Sequence, residues 1–255
     1  MASSNRIPRV ELMEIHRQRS ETGIPQGGAL IRAGQHPRLP AFDFARPHDT
    51  GLFIHPASNS VARETLRVFE AIAGAHVASG ARERDVQILC ATRRGPTGTK
   101  ALSEEVERRH LPKSGLAQAW GISVGSRILW TTNDHQRGTP EAPRSLLNGT
   151  LGTITAVARD QLAAEFDDGA VDALSRKDLV KLDRGWAISV HKAQGSAFQH
   201  VVFPIVESRL LDRTLVYTAV TRAVRSVVLV GDEAQLRAAI ENAPNALLRR
   251  VALSF

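Results

Sequence analysis

Residues 95–100 (GPTGTK) could bind a phosphate group, because they stand between an apolar run at 85–92 and a predicted helix at 99–109. Backbone N–H groups at a helix N-terminus attract anions, and Arg93 and Arg94 add positive charge beside them. The segment is not a complete P-loop, since that pattern needs Gly-x-x-x-x-Gly-Lys and the chain contains no Gly-Lys pair. A simple tight turn before a helix is the alternative interpretation.

Residues 190–198 (VHKAQGSAF) follow a predicted strand at 187–190 and form a second candidate. The segment concentrates polar side chains, namely His191, Lys192, Gln194 and Ser196. In open α/β sheets, ligands bind beyond the carboxyl ends of the strands. The segment therefore predicts a ligand-binding turn, and a solvated loop is the alternative.

Arg222 is the third candidate and ends a predicted apolar helix at 209–223, on the same face as Leu211, Leu215 and Ala219. An arginine there either complements the helix dipole or projects across an interface to stabilise charge on a transferring phosphate. A fourth segment, Arg17-Gln18, is an ordinary basic stretch when taken alone.

The elements that must position these residues follow two different patterns of predicted secondary structure. We predict alternating strands and helices on both sides of a middle region. The predicted strands are 51–55, 85–92, 187–190, 201–205 and 226–230, and the predicted helices are 60–79, 99–109, 209–223 and 232–241. Within 115–183 we predict a small barrel of short strands with turns at Asn148-Gly149 and Asp168-Gly169, and an exposed loop at 133–147. The strands predicted there are 127–131, 152–157, 162–166 and 170–174.

This pattern predicts an α/β sheet domain interrupted by a β-barrel insertion. We expect an irregular N-terminal segment at 1–48, broken by prolines and glycines, with the Arg-Gln pair inside it. The remaining boundaries are 49–114 for the first part of the sheet domain, 115–183 for the insertion and 184–255 for the second part.

Composition limits the class of protein. The 255 residues include 42% hydrophobic and 23% charged residues, which excludes a mostly disordered chain, a collagen and a coiled coil. We expect no membrane span, since no apolar stretch is long enough, and the N-terminus lacks the apolar core of a signal peptide. The formal charge of +7 suits a polyanionic partner, although 5% aromatic residues is too few for a base-stacking platform. The single cysteine, Cys90, favours a reducing cytoplasm.

Taken in order, these segments resemble the C-terminal half of superfamily 1 DNA helicases of the RecD-like, conjugative and UvrD-like type. The similar segments are 15–18 (motif IV), 91–102 (the strand, turn and helix after it), 124–134 with 147–155 (an SH3-like insertion), 186–198 (motif V), and 215–223 with 227–232 (motif VI). The similarity spans nearly the whole chain. Repair, recombination, conjugation and phage helicases share these motifs.

The resemblance implies a RecA-like, P-loop-NTPase-type second motor domain without Walker A, an SH3-like insertion, and ATP bound in the cleft facing a first motor domain. It implies that Arg222 is an arginine finger and that Arg17 also reaches the γ-phosphate. Further nucleotide contacts are implied for Gln18, Gly195, Ser196 and Thr221. Contacts with single-stranded or duplex DNA are implied for His191, Lys192, Gln194, Arg93, Arg94 and Asn148.

Two departures from the family pattern matter. Many relatives carry a glutamate after the Gly-Ser of motif V that suits a ribose hydroxyl, whereas this chain has Ala197. The chain also has no Walker A lysine and no acidic pair convincingly placed for Mg²⁺, and we predict no metal ligand in it. We therefore expect ATP and Mg²⁺ to be bound mainly by a first motor domain, which would precede residue 1 or belong to a partner. Alone, the chain is expected to be inactive as an ATPase.

Two other functions fit the same residues. One is a stand-alone nucleic-acid-binding module without catalysis, which would bind DNA in a salt-sensitive way that ignores nucleotide. The other is a subunit that completes another chain's ATPase site by donating Arg222, which would restore hydrolysis only on mixing.

Overall fold

The computed structural model describes residues 20–57, 59–78, 85–111, 118–139, 142–159 and 161–242. In chain order the elements are α1 (Ile24–Arg32), β1 (Gly51–Pro56), α2 (Val61–Ala78), β2 (Val86–Cys90), α3 (Thr99–His110), β3 (Gln118–Ala119), β4 (Ile122–Ser123), β5 (Arg127–Trp130), β6 (Asp134–Thr139), β7 (Ala142–Leu146), β8 (Leu151–Val157), β9 (Leu162–Phe166), β10 (Val171–Leu174), β11 (Leu182–Arg184), β12 (Ala187–Ser189), β13 (Phe198–Ile205), α4 (Arg213–Val220), β14 (Ala223–Gly231) and α5 (Glu233–Glu241). Short 3-10 helices lie at Ser20–Thr22 and Arg176–Lys181.

Five strands form a parallel sheet in the order β1-β14-β13-β2-β12. The central strands are nearly continuous runs of buried residues, as expected for strands covered on both faces. Helices α2 and α3 pack on one face through Phe69, Leu102 and Val106. Helices α1, α4 and α5 pack on the other face through Ile31, Val216 and other aliphatic residues. The predicted α/β domain is confirmed as three layers around a parallel sheet.

A separate antiparallel sheet, with the strand order β10-β9-β8-β5-β11, is inserted in the chain between α3 and β12. Two hairpins, β3–β4 and β6–β7, accompany it. Its own apolar core is built around the fully buried rings of Trp130 and Phe166. We call residues 118–184 the small β unit. Glycines with positive φ stand in the predicted turns, at Gly149 (100°) and Gly169 (85°).

The prediction that residues 1–48 are irregular is wrong for α1. Pro25 lies in the first turn of this helix, where its missing N–H leaves no hydrogen bond unmade. Gly27 and Gly28 are buried in the helix, and a Cβ on Gly27 would lie 2.6 Å from Leu52 Cδ2. The glycines therefore allow the helix to lie close to the sheet, rather than ending it.

The predicted exposed loop at 133–147 is also wrong, because most of it forms the hairpin β6–β7. Its arginines cover the apolar core of the small β unit. The Arg137 guanidinium lies 4.6 Å from the centre of the Trp130 ring, and that of Arg144 lies 5.3 Å from the centre of the Phe166 ring. Flat guanidinium groups stack on aromatic rings, so a polar sequence here forms ordered strands.

In the described part of the chain, no helix combines the length and the apolar character that crossing a bilayer requires.

Carboxylates stabilise the base of the β6–β7 hairpin. A hydrogen bond from Lys181 (3.0 Å) is the main cause that holds the pKa of Asp134 below its usual value. Burial raises the pKa of Asp178, but hydrogen bonds from Ser175 and the charge of Arg137 outweigh it, so the pKa is lowered. A carboxyl whose pKa is lowered by folding stabilises the folded state at neutral pH and loses that contribution as the pH falls.

We predict that Asp178→Asn lowers the free energy of unfolding by about 1–3 kcal/mol at pH 6, because one partner of a nearly buried ion pair is lost. The difference from the unsubstituted chain should shrink as the pH falls below 3.8, the ordinary pKa of the carboxyl. Thermal unfolding at pH 6, 4 and 3 measures this. A difference that stays constant over this range would contradict the ion-pair interpretation.

Gly231 ends β14 with φ at +151°, and a Cβ there would lie 2.4 Å from the carbonyl oxygen of Ile205 in β13. We predict that Gly231→Ala destabilises the fold by about 3 kcal/mol, from backbone strain and displacement of a neighbouring strand. Gly169→Ala is the matched control. Its φ is +85° and a Cβ there would meet no heavy atom within 4 Å, so it should cost only about 1–2 kcal/mol. Denaturant unfolding of both variants gives their free energies of unfolding. Equal losses of stability would contradict the predicted clash at Gly231.

Candidate functional site

The turn at 190–197 directly follows β12, which lies at one edge of the parallel sheet. The Val190 N–H donates to the carbonyl of Cys90 at 3.1 Å, which continues the pairing of β12 with β2. Val190 and Ala193 are buried in the core, and Gly195 has φ of +90°, so the chain reverses tightly. The polar residues of this turn lie at the carboxyl edge of the sheet, where α/β proteins bind ligands.

The predicted site residues of this turn differ in exposure. His191, Gln194 and Gly195 are exposed, whereas Lys192 and Ser196 are half-buried. The two half-buried residues are also the ones that contact other parts of the site.

Arg222 lies two residues beyond the end of α4, so the predicted helix at 209–223 is too long at both ends. Asp212 caps the helix, since its carboxylate accepts a hydrogen bond from the N–H of Leu215 at 2.9 Å. Apolar spacing continues upstream of this cap, which is why the pattern does not reveal the start. Thr221 forms the C-cap, and its hydroxyl donates to the carbonyl of Thr218 at 3.1 Å.

The guanidinium of Arg222 is fixed against the turn at 190–197. Its Nη1 donates to the carbonyl of Ser196 and its Nε to the carbonyl of Thr218, both at 3.3 Å. The Arg222 carbonyl accepts a hydrogen bond from the N–H of Phe198 at 2.9 Å. Two segments that are 26 residues apart in the chain therefore meet at one place.

The small β unit reaches the same turn through its own turn at 147–150. The ammonium group of Lys192 donates a hydrogen bond to Oδ1 of Asn148. Together the two turns line a groove of about 270 Å³, whose polar walls are Asn148, Thr150, Asp167, Lys192, Gln194 and Ser196. Three of the predicted DNA contacts thus share one groove.

A second groove of about 540 Å³ lies between α3 and β11 and is mostly basic. Its charged residues are Arg93, Arg94, Lys100, Arg184, Glu104 and Asp183. Arg93 pairs with Asp183 at 3.0 Å, whereas Arg94 and Lys100 are exposed and form no ion pair with the described residues. Gly98 is required at the N-cap of α3, beside this groove, because a Cβ there would lie 2.5 Å from the carbonyl oxygen of Arg94.

The structure therefore brings the predicted residues together in two clusters. One joins Asn148, Lys192 and Gln194 with Ser196 and Arg222, and the other contains Arg93 and Arg94. Arg17 and Gln18 lie outside the described residues.

Sequence reasoning missed Asp167 and Arg184. Asp167 belongs to a turn that its neighbouring Asp-Gly pair indicates, but its contribution to a groove depends on a fold that brings the two turns together. Arg184 lies just before the β12 segment, and its place beside α3 depends on the path of β11. Among the described residues there is no group of three or more His, Cys, Asp or Glu placed to hold a metal ion.

Comparison with known proteins shows similarity to DNA helicases of the RecD-like type. Residues 184–230 match the UvrD-like helicase C-terminal domain. The chain is 39% identical over 158 residues to the RecBCD enzyme subunit RecD of Mycolicibacterium smegmatis, which covers 61% of this chain and 26% of that protein. It is 30% identical over 227 residues to the ATP-dependent RecD2 DNA helicase of Deinococcus radiodurans, covering 88% of this chain and 28% of that protein. The chain thus spans about a quarter of the length of these curated relatives.

Solved structures support the fold. The Pif1 helicase from Bacteroides bound to single-stranded DNA superimposes with a TM-score of 0.53 at 18% identity, covering 94% of this chain and 55% of that one. At this identity the likeness shows the fold alone, which is RecA-like. The match to the UvrD-like helicase C-terminal domain lies on the segment that carries the turn at 190–197 and Arg222, and the chain is similar to the C-terminal part of RecD-like helicases.

Proposed function

We propose that this chain is the second motor domain of an ATP-dependent DNA helicase, in which ATP hydrolysis at an inter-domain cleft drives movement along single-stranded DNA. One observation carries the proposal: the turn at 190–197 contacts Arg222 at Ser196 and the small β unit at Lys192. A residue suited to γ-phosphate and a residue suited to DNA are thus held by the same short turn.

On the nucleotide side, Arg222 would act as an arginine finger. Phosphoryl transfer spreads negative charge over the γ-phosphate oxygens, and a positioned arginine stabilises that charge. The hydrogen bonds to the Ser196 and Thr218 carbonyls orient the guanidinium before any ligand arrives. We place Gly195, Ser196 and Thr221 beside the nucleotide because they lie next to this group. Arg17 and Gln18 stay predicted contacts.

On the DNA side, the two grooves would follow the phosphate backbone. His191, Lys192 and Gln194 would contact DNA at the first groove, between the turns at 147–150 and 190–197. Arg93, Arg94 and Lys100 would contact it at the second groove, between α3 and β11, which we call the basic groove. The first groove has few formal charges, so it would bind through hydrogen bonds and one ammonium. The second has four cations and two carboxylates, and would attract phosphate electrostatically. We propose that the small β unit is the SH3-like insertion expected from the sequence.

The other half of the ATPase site would come from a first motor domain that supplies the phosphate loop and the Mg²⁺ ligands. That domain would be part of the same protein or of a partner. When bound there, Mg²⁺ would neutralise phosphate charge, and the residues of this chain would supply the opposing positive charge of Arg222. Closure of the two domains on ATP and reopening after hydrolysis would move the DNA.

We predict that Arg222→Ala, in the helicase containing both motor domains, lowers kcat for ATP hydrolysis by about 10³-fold or more while ATP still binds. Arg222→Lys should recover only a small part, because lysine keeps the charge but not the planar fork. Arg225→Ala, an exposed arginine three residues on, is the matched control and should leave turnover unchanged. Steady-state hydrolysis and nucleotide-binding assays measure these effects. Full turnover by Arg222→Ala would contradict the arginine-finger role.

We predict that Arg94→Ala and Lys100→Ala each weaken binding of single-stranded DNA and each lower the slope of log affinity against log salt by about 0.7, the value for one phosphate contact. Arg46→Ala is the control, since this exposed arginine lies in the segment beside β1 at the opposite edge of the sheet. Fluorescence anisotropy with a labelled oligothymidine at several salt concentrations gives the slopes. Slopes that match the unsubstituted chain would remove the basic groove from the DNA path.

A further inference from the structure

The turn at 147–150 of the small β unit is held in one conformation by backbone hydrogen bonds. The N–H of Gly149 donates to the carbonyl of Trp130, and the N–H of Trp130 donates to the carbonyl of Thr150, both at 2.8 Å. The N–H of Asn148 donates to Oδ1 of Asn133 at 2.9 Å. Trp130 is fully buried. The turn is therefore fixed to the core of the small β unit, and the direction of the Asn148 side chain is set with it.

This turn lies directly against the backbone of Lys192. Gly149 has φ of +100°, and a Cβ on it would lie 3.3 Å from the Lys192 carbonyl oxygen. The Asn148 side chain accepts its hydrogen bond from the ammonium group of the same lysine. One turn of the small β unit thus contacts both the backbone and the charged end of Lys192.

The amide of Asn148 can orient the ammonium group without cancelling its charge. A lysine side chain has a flexible stem and three equivalent donors, so an unsupported lysine loses entropy when it binds a phosphate. One neutral carbonyl acceptor fixes the direction of the stem and leaves two N–H donors for a ligand. A carboxylate in the same place would pair with the ammonium and compete with phosphate.

The neighbouring carboxylate in the groove is held elsewhere. Asp167 also lines the groove, but both of its oxygens accept hydrogen bonds from Arg127, at 2.9 and 2.7 Å. The side chain of Arg127 is only 3% exposed, so this bidentate pair is fixed in place. The positive charge of Lys192 is therefore left for a ligand that enters the groove.

We propose that Asn148 is a positioning residue, which aims the ammonium group of Lys192 at a nucleic-acid phosphate instead of binding DNA itself. The proposal rests on the proposed DNA-binding function of the groove and assigns Asn148 a role different from the direct DNA contact expected from the sequence. Through this residue, the small β unit sets the direction of a charge that belongs to the RecA-like domain.

The test is a double-mutant cycle on the 255-residue chain, with binding of a labelled oligothymidine measured by anisotropy at several salt concentrations. We expect Lys192→Ala to weaken binding by about two- to fivefold, as for one exposed ionic contact. Asn148→Ala should weaken it less, and the Asn148→Ala/Lys192→Ala double variant should bind no worse than Lys192→Ala alone.

A charge substitution separates positioning from packing. Asn148→Asp keeps the shape of the side chain but would neutralise Lys192, so it should weaken binding at least as much as Lys192→Ala and lower the salt slope by about 0.7. Gln161→Glu is the control for added negative charge. It is exposed beyond the far end of β8, the whole length of that strand away from the 147–150 turn, and should leave the slope unchanged.

The outcomes distinguish this inference from the function on which it rests. Independent losses that add in the double variant would mean that Asn148 contacts DNA directly, and would overturn the positioning role while DNA binding stands. A Lys192→Ala variant that binds as well as the unsubstituted chain, or an unsubstituted chain that does not bind the oligonucleotide, would overturn the DNA-binding role of the groove and the positioning role with it.

Discussion

The site depends on four buried hydrogen bonds that fix the start of the short edge strand β12. The side-chain amide nitrogen (Nε2) of Gln87 donates to the carbonyls of Gly185 and Trp186, at 3.1 and 2.9 Å. The hydroxyl of Ser103 donates to the carbonyl of Ala187 at 3.1 Å and accepts from its N–H at 2.8 Å. Gln87 and Ser103 are each 1% exposed, so an unmade bond here would cost about 1–3 kcal/mol. A strand of three residues with a neighbour on one side only has few other means of keeping its register.

These bonds matter because the chain re-enters the parallel sheet at this point, after the whole small β unit. Helix α3 contacts both parts: its Ser103 holds β12, and its Glu107 accepts from the hydroxyl of Ser126 at 2.6 Å and contacts Arg184. At the junction, Gly185 passes so close to β5 that a Cβ would lie 2.8 Å from the carbonyl oxygen of Ile128. The small β unit is therefore fixed to the sheet at the base of the turn at 190–197, which brings its 147–150 turn against Lys192.

The sequence predicts elements whose signals are local, and it fails where a contact between distant residues decides the outcome. Helix α2 and strand β2 follow from periodicity and from apolar runs, and the glycines at 149 and 169 mark the turns of the small β unit. Helix α1 escapes prediction because Pro25 and two glycines normally end helices, and only the nearness of Leu52 explains why glycine is needed there. The β6–β7 hairpin escapes it because its arginines stack on rings from other strands.

The candidate site likewise has features that local sequence signals predict and features that depend on contacts between distant residues. The order of the segments indicates the family, and the types of residues in the 190–197 turn indicate a polar, ligand-facing edge. The hydrogen bonds that join the turn to the small β unit and to Arg222, however, span 44 residues from Asn148 to Lys192 and 26 from Ser196 to Arg222. No periodicity encodes such pairs. They arise from sheet order, which places β12 at one edge beside the insertion and brings β13 and β14 together so that Phe198 bonds to Arg222.

The 190–197 turn contacts its two neighbours through residues only four positions apart, Lys192 and Ser196. The buried side chain of Ala193 and the hydrogen bond from the N–H of Ser196 to the carbonyl of Ala193, at 3.1 Å, stiffen the backbone between them. The carbonyl that orients Arg222 is therefore joined to Lys192 by a short stretch of backbone with one internal hydrogen bond. In the proposed function, this short path would be the physical means by which DNA contact at one end of the turn alters arginine placement at the other.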